Sequence, residues 1–110
     1  MAAKIHGRLG AQDLSATTNT SIYSVPASRK ATVNVSIANR NSTATTVRLM
    51  HLAGAIGTLS NVDYIAYDVQ VPGNGYIERT AICMAASATI GGYAGATGVT
   101  MQVQGVEEDA

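Results

Sequence analysis

The sequence predicts an all-β protein: a single antiparallel β-sandwich of jelly-roll or Greek-key type, about seven strands, with an extended N-terminal arm. Three observations lead there. Apolar residues recur with a period of two, turn residues separate these runs at fairly even spacing, and no window carries a helical period. The chain of 110 residues and 11.3 kDa is one domain's worth of protein. Its mass corresponds to about 5,700 Å² of folded surface against about 16,000 Å² unfolded, enough burial for one core without staples. A single cysteine, Cys83, excludes a disulfide within the chain.

Residues 1–19 have no clear period and read as the arm, which leaves residues 20–110 for the sandwich. An arm without its own core is expected to lie on something else. The first strand runs over residues 20–25 and ends at Val25-Pro26-Ala27-Ser28, because proline cannot donate to a central ladder. Ala31, Val33, Val35 and Ile37 then alternate with Thr32, Asn34 and Ser36, the pattern of a half-buried strand. Asn39-Arg40-Asn41-Ser42 closes it.

Residues 45–52 follow, with Val47 and Leu49 on one face, Arg48 and Met50 on the other, and a β-branched start that favours strand. Residues 54–61 read as a loop. Residues 63–71 alternate again, with Ile65, Tyr67, Val69 and Val71 expected inward, and Pro72-Gly73-Asn74-Gly75 is a turn. Residues 76–84 are the expected hairpin partner. Residues 88–94 and 99–106 complete the set around Gly95-Ala96-Thr97-Gly98. The uncharged run 80–106 is long enough to raise a membrane span, but its glycines, glutamines and alternation argue against one.

Seven Lys+Arg balance seven Asp+Glu, and only 13% of residues are charged while 46% are hydrophobic. A neutral molecule has no overall field to attract nucleic acid or an anionic membrane, so neither is expected as a partner. Charge order is more informative than the total. Residues 14–62 carry only Arg29, Lys30, Arg40 and Arg48, whereas the chain from Asp63 onward carries six acids and Arg79. A basic early region could meet the acidic Glu107-Glu108-Asp109 of a neighbouring subunit, or the same charges could pair within one sandwich.

Catalytic chemistry finds little footing. His6 and His51 lack a nearby Cys or carboxylate at ligand spacing, and Cys83 lies in the apolar stretch Ala81-Ile82-Cys83-Met84, where it reads as a small buried hydrophobe. Asp63, Asp68 and Glu78 lack the glycine-containing loop of calcium motifs and read as solvated strand carboxylates. Gly73-Asn74-Gly75 begins like a dinucleotide fingerprint and fails at Glu78. No catalytic residue, cofactor or metal is therefore expected. A glycan-binding alternative would use an aromatic platform, for which Tyr64 and Tyr76 are the candidates.

Six stretches together resemble a group of small proteins encoded among the virion structural genes of tailed bacteriophages and prophages. They are Tyr23-Ser24-Val25-Pro26-Ala27, Lys30-Ala31-Thr32-Val33-Asn34-Val35, Asn39-Arg40-Asn41, Val47-Arg48-Leu49, Asp63-Tyr64-Ile65-Ala66-Tyr67-Asp68 and Glu78-Arg79-Thr80. Where those proteins tend to have Gly after Pro-Ala, this chain has Ser28-Arg29. The resemblance implies a β-sandwich virion component without enzymatic activity. Such a protein is made in the bacterial host cytoplasm and assembles with its own copies, as a trimer or higher, and with major capsid or tail proteins. A capsid decoration or cement role is the leading expectation; a tail, neck or baseplate role, or receptor binding, is the alternative. The residues expected at interfaces are Lys4, Ile5, Arg8 and Leu9 on the arm, basic Arg29, Lys30 and Arg40, and acidic Glu107, Glu108 and Asp109.

Overall fold

The alternation becomes two four-stranded antiparallel sheets in the computed structural model, which describes residues 5–110. The strands are β1 (Ile5–Leu14), β2 (Thr20–Ser24), β3 (Arg29–Asn39), β4 (Thr45–Leu52), β5 (Tyr64–Val71), β6 (Tyr76–Met84), β7 (Thr89–Ala94) and β8 (Val99–Asp109). Sheet A has the order β1-β8-β3-β6 and sheet B the order β2-β7-β4-β5. Only β4 and β5 are consecutive strands lying side by side; every other connection crosses between the sheets.

The inward positions of both sheets meet in one core. Val33, Val35 and Ile37 of β3, Val47 and Leu49 of β4, Ile90 of β7, and Val99, Met101 and Val103 of β8 are all buried there. Each such side chain contributes about 1.5–3 kcal/mol relative to exposure. The accessible surface, 5744 Å², matches the area expected of a self-sufficient domain of this mass.

Three expectations are corrected. The segment read as an arm is, over Ile5–Leu14, an edge strand paired antiparallel with β8 from Ile5 opposite Glu107 to Leu14 opposite Val99. Leu14 is buried in the core and Leu9 packs against it. The pattern was hidden because Leu9 is an extra residue between Arg8 and Gly10, and a bulge reverses the in/out alternation. The described residues thus form eight strands where about seven were expected, the added one being β1. Lys4 lies outside the described residues.

Strands β5 and β6 are also not hairpin partners, since they belong to opposite sheets. The turn between them docks on the β3–β4 turn: the Asn39 side-chain amide donates to the carbonyls of Thr43, Val71 and Pro72, and Asn74 N–H donates to Asn41 O at 2.8 Å. That anchoring turns the chain across to the other sheet. Nor is the whole apolar set of β5 inward. Val47 faces Val69 and Leu49 faces Ala66, so Tyr67 and Asp68 together oppose Arg48, with Asp68 at φ +51°. This bulge swings Tyr67 outward, where it is 57% exposed.

Met50 differs in the opposite sense: it is fully buried although it faces away from the central core. Two 3-10 turns, Ile56–Thr58 and Asn61–Asp63, fold over the outer face of sheet B. Gly91, opposite Met50 in the register, makes room for them, because a Cβ there would sit 2.6 Å from Ile56 Cδ1. At the Pro26–Arg29 turn, Ser28 takes φ +64°, the left-handed conformation that a glycine would adopt freely.

Candidate interaction surfaces

Three groups of polar side chains stand out, and the strand register explains each. The first closes one end of the core. Pairing of β3 with β8 sets Arg29 opposite Asp109 and Ala31 opposite Glu107, which brings the acidic C-terminal residues onto the basic start of β3. Arg29 Nε lies 2.7 Å from Glu107 Oε2, and Arg29 Nη1 lies 2.9 Å from Asp109 Oδ1. Tyr23 OH donates to Glu107 Oε1 at 2.5 Å. Glu107 is buried, so these charge-assisted bonds replace its hydration.

Arg40 pairs with Asp13 at 2.7 Å and Arg48 with Asp68 at 2.7 Å. Of the two readings of the charge order, pairing within one chain is therefore seen for Arg29, Arg40 and Arg48. The exposed Arg40–Asp13 pair is worth about 0–1 kcal/mol. Lys30 is exposed and lies opposite Glu108; Ile5 and Arg8 are exposed on edge strand β1.

Burial, then the bond to Glu107 and its negative charge, push the Tyr23 hydroxyl well above the usual tyrosine range. The raised group favours the fold while the unfolded tyrosine is also protonated. Above pH about 10 the unfolded chain loses that proton and the folded one keeps it, so stability falls as pH rises. Denaturation midpoints measured between pH 9 and 11 are expected to drop more steeply for the native chain than for Tyr23→Phe.

The second group is the outer face of sheet A. Cross-strand pairs Thr32 with Val106, Asn34 with Gln104, Ser36 with Gln102 and Ala38 with Thr100 occupy its two central strands. None is ionic. Charges stand at the rim, with Arg8 beside Gln104, Asp13 beside Thr100 and Glu78 beside Ser36. Cys83 is on this face opposite Thr32 and is exposed, because it points outward between the buried Ile82 and Met84; the expectation of a buried cysteine is thereby corrected.

The third group lies on the outer face of sheet B. Arg48 is opposite Tyr93, and its guanidinium stacks between two rings, 4.3 Å from the Tyr67 centroid and 4.4 Å from that of Tyr93. Asp68 Oδ1 accepts from Arg48 Nε and holds the stack in place. Tyr64 meets Tyr67 edge-to-face at 4.9 Å. Beside them two clefts of about 400 and 460 Å³ share Asn61 and Tyr64. Tyr76, the other tyrosine expected on an aromatic platform, begins β6 of sheet A just after the β5–β6 turn, whereas Tyr64 begins β5 of sheet B at the end of that strand away from the turn. The structure does not bring Tyr64 and Tyr76 together; the tyrosines beside Tyr64 and Arg48 are Tyr67 and Tyr93, to which the outward Arg48 was the available pointer.

Among the described residues no three His, Cys, Asp or Glu side chains gather in a metal-binding group. Asp63 accepts from Ser60 N–H at 2.8 Å and caps its own 3-10 turn. No helix of the described residues is long and apolar enough to cross a membrane. No protein-family model and no curated protein matches the chain.

Proposed function

We propose that this chain is a non-enzymatic structural subunit of a tailed-phage particle, a decoration protein that binds neighbouring capsid subunits through the outer face of sheet A. The observation that carries the reading is the strand order. β1-β8-β3-β6 facing β2-β7-β4-β5, with every connection but one crossing, supports a jelly-roll sandwich, an architecture used by viral capsid proteins. The stretches that resemble virion proteins fall on β2, β3, β4, β5 and β6 and the turns beside them.

The face itself suits assembly. Four strands about 4.8 Å apart and about 3.3 Å per residue make a patch of roughly 600 Å², near the share one partner contributes to a standard interface. Hydroxyls and amides at its centre can exchange water for partner hydrogen bonds without stranding a buried charge. The N-terminal strand belongs to the same sheet, which supports a contact through a rigid face over one through a loose arm.

Replacing Gln102 by Glu puts a charge at the middle of this face. Stability should change by no more than about 0.5 kcal/mol, as for other surface substitutions. Co-sedimentation with particles stripped of the protein should fall at least tenfold. Undiminished binding by Gln102→Glu would remove sheet A as the contact, and failure of the native chain to bind any capsid would remove the decoration role.

A further inference from the structure

We propose that the cleft formed by Tyr64, Tyr67 and Asn61 on sheet B binds an uncharged carbohydrate. The site is on the sheet opposite the proposed particle contact and does not depend on that reading.

Its chemistry begins with Tyr67. The ring is largely exposed yet fixed, since Arg48 stacks on it and Tyr64 meets it edge-to-face. An aromatic ring already held in place loses little rotamer freedom when a ligand docks. Pyranose rings present C–H faces to such a surface and direct hydroxyls around their edge. Asn61, Ser60 and Asn19 line the adjoining clefts; the two amides can donate and accept toward those hydroxyls, and the Ser60 hydroxyl, which donates to Asp63, can accept.

The clefts, at about 400 and 460 Å³, are shallow and open to solvent, so a sugar would lie across them with one face against the protein. Their wall is built before any ligand arrives. Thr58 N–H donates to Ala55 O and Asp63 N–H to Ser60 O, and Ile56 seats over Gly91. Charge decides the ligand class. Arg48 is engaged by Asp68, and Asp63 is engaged by Ser60, so the nearby ions are committed to the chain itself. A phosphate or sulfate would find its nearest cation already bridged to a carboxylate, whereas a neutral sugar needs none.

The test uses the full chain on an array of neutral oligosaccharides, followed by saturation-transfer NMR with maltose, lactose, cellobiose and diacetylchitobiose. At least one neutral glycan is expected to bind. Tyr67→Ala and Asn61→Ala should each weaken it tenfold or more, while Tyr76→Ala, an exposed tyrosine on the other sheet, should not. Asn61 tests the site even if loss of Tyr67 disturbs the Arg48 stack. Absence of binding to every neutral glycan would overturn the proposal, as would equal binding by both site variants. So would self-association through Tyr67, seen as a Tyr67-dependent dimer in sedimentation without any glycan binding.

Discussion

Replacing Arg29 by alanine is expected to cost about 3–5 kcal/mol, the range for removing one partner of a buried ion pair. Glu107 would keep Tyr23 as a donor but lose the cation that compensates its charge in a buried place. The cost arises from the stranded carboxylate more than from the lost attraction. Arg29→Met combined with Glu107→Gln should therefore recover most of the loss, because the amide still accepts from Tyr23 and no charge is left behind. Urea denaturation of the native chain and the two variants measures this. If the double variant is as unstable as Arg29→Ala, the stranded charge is not the cause.

Gly105→Ala is the second severe substitution. A Cβ at that position would lie 2.1 Å from Thr32 O and 2.8 Å from Val33 Cα, both main-chain atoms of the neighbouring strand β3. No side chain can swing away to relieve this clash, so β8 must separate from β3 in the middle of sheet A. A loss of about 3 kcal/mol or more is expected, at the upper end of overpacking costs and a large part of a typical total of about 5–15 kcal/mol. Gly57→Ala, where the added methyl meets nothing within 4 Å, should change stability by less than about 0.5 kcal/mol. Comparable losses in the two variants would mean that the β3–β8 contact is looser than described.

The contrast between these glycines shows which parts of the fold could be read from the chain. Strand β3 was legible because each of its residues obeys one alternation: Ala31, Val33, Val35 and Ile37 are buried, and the residues between them face outward. Strand β1 was not, because Leu9 inserts a bulge and most of the strand is exposed at a sheet edge. Hairpin reasoning failed at Pro72–Gly75 for another reason. The turn is real, but Asn39 and Asn41 anchor it from a distant part of the chain, and local sequence carries no sign of that.

Burial of Met50 and exposure of Tyr67 share this origin. Neither follows from the residue's own neighbours; one depends on Ile56 and the 3-10 turns, the other on the bulge opposite Arg48. The charge order was readable as two opposed regions. Only the β3–β8 register shows that Arg29 meets Glu107 and Asp109 of the same chain. The neutrality of the molecule is thus in part an internal pairing, which leaves the centre of sheet A uncharged.

The proposed place on a particle rests on the strand order, with this uncharged sheet face as the proposed contact. The most direct measurement is immunogold labelling of intact particles, using an antibody raised against the folded chain and cells in which the gene is expressed with its natural neighbours. Regular labelling over the capsid surface is the expected result. Unlabelled particles, in cells where the same antibody detects abundant free protein, would contradict it.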